Sequence, residues 1–176
     1  MVAAVVLAAG ESTRFGSPKQ RLLLPEVLER VRRSQSIDEV VVVLGAHDFE
    51  TDARVVRCED WQLGPGASLR CGLAALPAEV EAAVVVLADG PDLDPRAIDR
   101  VVASWRADGG DAVGAVYDGV RLHPLLLARA VWRDVPDEGA RAVPARGVPC
   151  DDLDRPGDVD TLGELPRRLR AADAED

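Results

Sequence analysis

Four short apolar runs constrain the fold of this chain more than any other feature of its sequence. They cover residues 2–7, 40–44, 54–58 and 83–88, and they are continuous rather than alternating between apolar and polar side chains. A strand with one face in water alternates, whereas a strand covered by helices on both faces is apolar along its length. The runs therefore predict buried strands of a mainly parallel sheet.

Helical patterns lie between these strands. The segment "PEVLERVRRS" opens at Pro25, a residue suited to a first helical position, and "SLRCGLAAL" follows a glycine-rich turn. In "DPRAIDRVVASW", Asp94 is predicted to cap a helix that begins with Pro95. The alternation of strands and helices predicts a three-layer α/β/α sandwich around a mostly parallel, Rossmann-like sheet.

The second half of the chain is less regular. Residues 1–176 are nevertheless predicted to form one domain, because no repeat or long linker interrupts them, with an acidic tail that frays from about residue 171. We predict a strand over 112–117, a turn at Asp118-Gly119, helical turns around 125–132 and 138–143, a short strand in "GVPCDD" and a closing helix over 161–171.

Composition excludes several classes of protein. Only 3% of the residues are aromatic although 47% are hydrophobic, so valine, leucine and alanine must build the core. The net charge of −10 argues against binding to nucleic acid or to an anionic membrane, and no stretch approaches the roughly 20 apolar residues of a membrane span. The apolar start "MVAAVVLAAG" has no basic region before it, so we interpret it as a strand rather than a signal peptide.

The cysteines indicate a cellular compartment. Cys58, Cys71 and Cys150 are odd in number, far apart and without a CxxC pair, which predicts reduced thiols in a cytoplasmic protein. Two histidines are too few to build a histidine-based metal site.

In open α/β sheets, ligands bind beyond the carboxyl ends of the strands. The loop after the first predicted strand, "LAAGESTRFGSPKQ", contains Gly10, Gly16, Arg14 and Lys19, the single lysine of a chain with twenty arginines. Its residues alone fit a phosphate-binding loop made of backbone N–H groups and two cations. They fit a plain glycine-rich turn with surface charges equally well. In either case Lys19 is expected to make few core contacts and to contribute little to stability.

Two further loops follow strands. In "VVVLADGPDLDP", Asp89 comes directly after a buried run, where a carboxylate can meet a metal ion bound to substrate phosphates, although aspartate is also a common turn residue. Asp92 and Asp94 are interpreted as turn and cap residues. The loop "WQLGPGASLRCG" is able to hold a base or ribose through backbone contacts, or it is an ordinary loop.

Together these segments resemble the MobA-like nucleotidyltransferases, and within them the molybdenum cofactor cytidylyltransferase (MocA-type) branch. "LAAGESTRFGSPKQ" is similar to the family's LAAG-x-S-x-R-[MF]-G-x-PK signature and "VVVLADGPDLDP" to its LAD-x-P loop. The branch is indicated by "DWQLGPGASLRCGLAAL", "RLHPLLLARAVW", "PDEGARA" and "CDDLDRPGDVDTLGEL". The match runs in order over most of the chain and implies a fold of the nucleotide-diphospho-sugar transferase type.

The resemblance also implies roles for individual residues. The phosphate- and metal-binding residues would carry catalysis, which assigns that role to Lys19, Arg14 and Asp89. Asp89 and Asp158, or its neighbour Asp160, would bind Mg²⁺. His123 and Arg141 would lie on the acceptor side. The nucleotide-binding set would be Leu7, Ala8, Ala9, Gly10, Arg14, Lys19, Gly64 and Ser68.

The sequence departs from the family at several points. It has no Gly-Gly turn after "PKQ", and the connection between Val43 and Val55 is too short for a full helix. Leu122 precedes His123 where the family has glycine, and "DTLGE" replaces the family's DTPED. The first two departures would reshape the acceptor side, so they affect substrate identity more than fold.

The predicted activity is Mg²⁺-dependent transfer of a nucleotidyl group from an NTP to a phosphate-bearing acceptor, with release of pyrophosphate. By resemblance, Ala8-Ala9 favours CTP, and the favoured acceptor is the molybdenum cofactor, with a molybdoenzyme or its chaperone as a protein partner. Cytidylyl or guanylyl transfer to a sugar phosphate, polyol phosphate or phospho-acid is an alternative. A non-catalytic accessory protein of a molybdoenzyme is another.

Overall fold

The computed structural model describes residues 1–11 and 19–170. Seven strands form one sheet in the order β3-β2-β1-β4-β6-β5-β7, and within the described residues only β6 runs antiparallel to its neighbours. The strands are β1 Val2–Ala8, β2 Glu39–Leu44, β3 Arg54–Arg57, β4 Ala82–Leu87, β5 Ala112–Tyr117, β6 Val120–Ala128 and β7 Arg146–Pro149. The helices are α1 Gln20–Arg33, α2 Pro65–Ala74, α3 Pro95–Asp108 and α4 Arg167–Arg170.

Helices cover both faces of the sheet, as the continuous apolar runs predict. Successive side chains of a strand point to opposite faces. In β1, Val2, Ala4 and Val6 join a core with α1 and α3, whereas Ala3 and Val5 join a second core with α2. This arrangement confirms the three-layer sandwich and its mostly parallel sheet.

The first helix begins earlier than its sequence predicts. α1 starts at Gln20, five residues before Pro25, and Pro25 lies inside it. Leu23 and Leu24 extend the buried stripe of the helix by one turn toward its N-terminus. Burial of two leucines contributes about 3–6 kcal/mol, which offsets the one backbone hydrogen bond that proline cannot donate.

Residues 125–128 form the end of strand β6 and not the predicted helical turn. Asp118 and Gly119 both have positive φ, 48° and 77°, and this turn sends the chain back antiparallel to β5. A short apolar run fits a buried strand and a buried helix equally well, so sequence periodicity cannot separate them. The helical turns predicted around 125–132 and 138–143 correspond to short 3₁₀ turns at Arg129–Asp134 and Ala140–Ala142.

The C-terminal region differs from its prediction. The closing helix is replaced by a 3₁₀ turn at Leu162–Glu164 and the short α4, and the predicted frayed tail from residue 171 lies outside the described residues. Within the described part of the chain, no helix has the length and apolar character needed to cross a membrane.

The prediction of three reduced thiols is wrong for two of them. Cys58 follows β3 and Cys71 lies in α2, and the two form a disulfide with a Cα–Cα distance of 5.8 Å. Cys150 is the free, buried cysteine. The pairing depends on the packing of α2 against the sheet, which the spacing of 13 residues in sequence does not reveal.

We expect Asp94→Ala to destabilise the protein by about 1 kcal/mol, because it removes the N-cap of α3. The buried Asp94 carboxylate accepts a hydrogen bond from Arg96 N at 2.9 Å, as the capping pattern predicts. Hydrogen bonding from the Arg96 side chain lowers the pKa of Asp94 below its usual value. The cap is therefore fully formed above the unfolded-state pKa near 4 and is lost as pH falls through the lower folded-state value.

Chemical denaturation of wild type, Asp94→Ala and Asp94→Asn at pH 7 and in acid measures this effect. Asparagine keeps a capping oxygen and should lose less stability than alanine at pH 7. Equal stability of wild type and Asp94→Ala at pH 7 would contradict a capping role.

Candidate active site

One lysine joins two carboxylates beyond the carboxyl ends of β1 and β4. Lys19 Nζ lies 3.2 Å from Asp89 Oδ2 and 3.1 Å from Asp160 Oδ1, and it donates a 2.7 Å hydrogen bond to Val159 O. Lys19 is only 8% exposed. We call Lys19, Asp89, Asp158 and Asp160 the charge cluster. Lys19 is therefore buried among several polar contacts, whereas the sequence predicted few core contacts for it.

Three distant parts of the chain build the charge cluster. Asp89 follows β4, and Lys19 directly precedes α1. The segment from Pro156 to Asp160 crosses the loop after β4, where Val159 N donates to Asp89 O at 3.0 Å and Asp92 N donates to Pro156 O at 3.0 Å. The Val159 side chain is buried against α1. Backbone pairing and apolar packing thus hold the acidic segment beside the end of β4.

The lysine and the carboxylates stabilise each other's charge. Burial disfavours the ammonium and by itself would lower the pKa of Lys19, but the nearby Asp89 and Asp160 carboxylates outweigh it and raise that pKa. For Asp158, burial is the larger cause and the neighbouring Asp89 and Asp160 carboxylates add to it, so the pKa of Asp158 is raised. One lysine therefore faces an excess of negative charge.

The donor set of the cluster fits a divalent cation. Asp89 Oδ1 is buried and accepts no hydrogen bond within the described residues. Mg²⁺ prefers oxygen ligands and is often held by one or two carboxylates together with substrate phosphates. Among residues 1–11 and 19–170, no group of three or more His, Cys, Asp or Glu side chains could hold a metal alone. Asp89 and Asp158 thus suit a metal that arrives with a phosphate ligand.

His123 lies against the loop after β4. A Cβ added to Gly90, the residue after Asp89, would lie 2.6 Å from His123 Cε1 and 2.7 Å from its Nε2. Both ring nitrogens are buried without a hydrogen-bond partner among the described residues. Burial lowers the pKa of His123 to about 4 against the opposing effect of the Asp89 carboxylate, so the ring is neutral at pH 7. The neutral ring can donate a hydrogen bond but carries no positive charge.

The loop after β1 is fixed by contacts that sequence reasoning missed. Ala9 O accepts a hydrogen bond from Ala46 N at 3.1 Å, and Gly10 O accepts one from Gln20 Nε2 at 2.9 Å. Gln20 is buried at the start of α1, beside Lys19. The predicted nucleotide residues Leu7, Ala8, Ala9 and Gly10 therefore share one sheet edge with the charge cluster. Arg14 lies outside the described residues.

The glycine-rich segment before α2 belongs mostly to a 3₁₀ turn and to the first turn of α2. The helix begins at Pro65, with Gly64 as its N-cap at φ 113°, so Gly66 and Ser68 are helical. Gly66 N donates to Asp137 O at 3.0 Å, and a Cβ on Gly66 would lie 2.1 Å from Pro136 O. Gly66 therefore permits close packing against the protein's own backbone. Ser68 is buried in the first turn of α2.

Arg141 is separate from the charge cluster. It is exposed on the 3₁₀ turn Ala140–Ala142, which packs near the start of α2. No hydrogen bond or ion pair of the described residues joins its side chain to Lys19, Asp89 or Asp160. Its predicted role toward an acceptor stays a prediction.

Comparison with known proteins identifies the family. The model of the MobA-like NTP transferase domain matches residues 4–147, which include the loops after β1 and β4 and the whole of α2. The chain belongs to this family. The family match stops before Asp158 and Asp160, so it covers two of the four residues of the charge cluster.

Curated relatives carry several names. A "Bifunctional protein GlmU" from Micrococcus luteus is 35% identical over an alignment of 133 residues, and the match covers 61% of this chain and 26% of that protein. A "Probable molybdenum cofactor guanylyltransferase" from Chloroflexus aggregans is 35% identical, over 76% of this chain and 66% of that protein. A "3-phospho-D-glycerate guanylyltransferase" from Phenylobacterium zucineum is 34% identical, over 69% and 62%. The chain thus spans about a quarter of the GlmU protein's length.

Solved structures support the fold over the full chain. A homolog of Mycobacterium tuberculosis Rv0371c from Mycobacterium sp. strain JC1 has a TM-score of 0.78 and 27% identity, covering 99% of this chain and 98% of that one. Rv0371c itself, in complex with manganese, has a TM-score of 0.74 and 26% identity, with coverage of 97% and 98%.

Proposed function

We propose that this protein is a nucleotidyltransferase that moves an NMP unit from an NTP, preferably CTP, to a phosphate group of an acceptor. The acceptor we propose is the molybdenum cofactor, as in the MocA-type branch. The observation that carries the proposal is the charge cluster at the carboxyl edge of the sheet in a member of the MobA-like family. A lysine between carboxylates, beside an unpartnered carboxylate oxygen, suits a triphosphate that enters with its metal.

In the proposed reaction, a phosphate oxygen of the acceptor attacks the α-phosphorus of the NTP. The bond from that phosphorus to the oxygen bridging the α- and β-phosphates breaks, and pyrophosphate leaves with the electron pair. The attacking oxygen is already anionic at pH 7, so no proton needs to be removed. This agrees with the position of His123 beside the Asp89 loop, because burial lowers the pKa of His123 to about 4 and the ring is neutral at pH 7.

Catalysis would rest on positioning and on neutralisation of charge. The Lys19 ammonium would exchange its contact with Asp160 for a triphosphate oxygen while remaining near Asp89. Lysine acts as a compact point charge toward phosphate. A divalent cation held by Asp89 and Asp158 would, when bound, neutralise developing charge on the phosphate oxygens. Gly10, which has no side chain, would let the phosphates approach the backbone.

Cytidylyl and guanylyl transfer have different support. The Ala8-Ala9 pair favours CTP through the resemblance to the cytidylyltransferase branch. Two relatives at 35% and 34% identity are named as guanylyltransferases, and this favours GTP with a phosphate-bearing acceptor as the second candidate. Transfer to a sugar or polyol phosphate and a non-catalytic role beside a molybdoenzyme are the further alternatives.

We expect CTP with Mg²⁺ to raise the melting temperature of the protein. A ligand that binds only the native state stabilises it by about 2.7 kcal/mol at a hundredfold excess over its Kd. For a chain of this size this corresponds to roughly 5–10 °C. Thermal melts with each of the four NTPs, with and without Mg²⁺ and with Mn²⁺ as an alternative cation, measure the preference.

Release of pyrophosphate with CTP and a cofactor acceptor then separates an enzyme from a binding protein. A larger shift with GTP than with CTP would favour the guanylyl alternative. The absence of a shift with every NTP and either cation would contradict the nucleotide-binding proposal.

A further inference from the structure

Trp61 occupies an unusual position beside the predicted nucleotide loop. β3 pairs in parallel with β2, and Cys58 N donates to Leu44 O at 2.8 Å as the chain leaves the sheet at its carboxyl edge. Three residues later, Trp61 opens the 3₁₀ turn Trp61–Leu63. The tryptophan therefore lies at the edge of the sheet where the proposed function places the nucleotide.

Gly45 provides the space for this tryptophan. A Cβ on Gly45 would lie 2.6 Å from both Cβ and Cγ of Trp61 and 2.7 Å from Ala9 O. The Trp61 side chain and the Ala9 carbonyl oxygen thus both border the space that a side chain at position 45 would enter. Any other residue at position 45 would push these two segments apart. Gly45 accordingly brings an indole close to Ala9.

The other two tryptophans each donate an indole hydrogen bond to a backbone carbonyl, and Trp61 makes no such bond among the described residues. Trp132 is buried and its Nε1 donates to Leu127 O at 3.1 Å, and Trp105 Nε1 donates to Gly110 O at 3.1 Å. Trp61 is partly exposed, although it packs against the core on the α2 side. A part-exposed indole ring that borders a ligand site presents a flat apolar surface at little cost in conformational entropy.

The segment that carries Trp61 is fixed at both ends. The Cys58–Cys71 disulfide closes it, Leu63 N donates to Asp60 O at 2.9 Å, and Gly64 N donates to Trp61 O at 3.2 Å. α2 then continues from Gly64. Because the backbone around Trp61 is held, its ring needs little ordering when a ligand binds.

We propose that Trp61 stacks on the nucleobase of the NTP and sets the affinity for the nucleoside part of the substrate. This inference rests on the proposed function. Stacking of a base on an aromatic side chain changes affinity by roughly tenfold or more when the ring is removed, and it tolerates different bases. Trp61 would therefore strengthen binding of CTP and GTP alike, while the choice between them would come from hydrogen bonds to the base edges.

Isothermal titration calorimetry of wild type, Trp61→Leu and Trp61→Phe with CTP and with inorganic triphosphate tests this inference. We expect Trp61→Leu to weaken CTP about tenfold and Trp61→Phe to weaken it less. Inorganic triphosphate has no base, so its affinity should be the same in all three proteins. Trp105→Phe, a change of indole to phenyl on α3, is the matched control and should bind CTP like wild type.

Quenching of tryptophan fluorescence by CTP provides a second readout that survives if Trp61→Leu fails to fold. The quenching should disappear in Trp61→Phe and persist in Trp105→Phe. If wild type binds CTP while Trp61→Leu binds it equally well, or while quenching persists in Trp61→Phe, the stacking role is wrong and the proposed function stands. If wild type binds no NTP, both proposals fall.

Discussion

Asp89→Asn is expected to lower the rate of Mg²⁺-dependent pyrophosphate release by about a hundredfold to a thousandfold. The substitution keeps the size of the side chain and one oxygen that can accept from Lys19 Nζ, 3.2 Å away in the wild type. It removes the negative charge that the proposed metal and the Lys19 ammonium share. Loss of about 3–4 kcal/mol of transition-state stabilisation corresponds to this range, at tenfold for each ~1.4 kcal/mol.

The fold should survive this substitution. Asp89 O accepts from Val159 N through the backbone, so the pairing that holds the acidic segment does not depend on the carboxylate. Asp92→Asn is a matched control, since Asp92 lies in the same loop but its carboxylate binds Arg168 at 2.7 Å, outside the charge cluster. We expect the control to retain the wild-type rate.

The measurement is the steady-state rate of pyrophosphate release with CTP and a cofactor acceptor for wild type, Asp89→Asn and Asp92→Asn. Thermal melts of the same three proteins report whether each is folded. Equal rates for wild type and Asp89→Asn would mean that Asp89 is only a turn residue. A similar loss of activity in Asp92→Asn would indicate a disturbed loop instead of a lost charge.

The sequence predicted the parts of the fold that depend on local pattern. The strand over residues 2–7 is apolar because both of its faces are covered, and the structure extends it only by Ala8. The cap at Asp94 could be predicted because the capping residue and the first residues of its helix are adjacent in sequence, as in "DPRA". Such features involve residues close together in sequence, so the local residue pattern is sufficient to predict them.

The rest depends on long-range packing. Lys19 and Asp160 are 141 positions apart in sequence, and neither local sequence indicates that their side chains form an ion pair. The sequence therefore predicted separate phosphate and metal contacts for Lys19 and Asp89, whereas the structure pairs them. The disulfide between Cys58 and Cys71 also depends on tertiary packing that the local sequence does not indicate. The close packing of Gly66 against Pro136 and Asp137 is likewise a contact between distant parts of the chain.

Lys19→Met is expected to reduce both stability and nucleotide binding. Methionine keeps an unbranched stem of similar length but has no charge, so the substitution removes the ammonium that lies 3.2 Å from Asp89 and 3.1 Å from Asp160. Val159 O also loses the 2.7 Å hydrogen bond from Lys19 Nζ. We expect a loss of about 1–3 kcal/mol, less than for a fully buried ion pair because the two carboxylates are partly solvated.

The substitution should weaken the free energy of triphosphate binding by more than it lowers the free energy of unfolding. Calorimetry with inorganic triphosphate isolates this effect from any contact with the base, and melts without ligand give the loss of stability as a decrease of roughly 3–10 °C. Arg30→Met is the matched control, because Arg30 lies on α1, the helix that Lys19 precedes, and pairs with Glu26 away from the charge cluster. Normal triphosphate affinity in Lys19→Met, with only the melting temperature reduced, would make Lys19 a structural residue that holds the acidic segment. Normal values of both would show that the ion pairs of the charge cluster contribute nothing measurable.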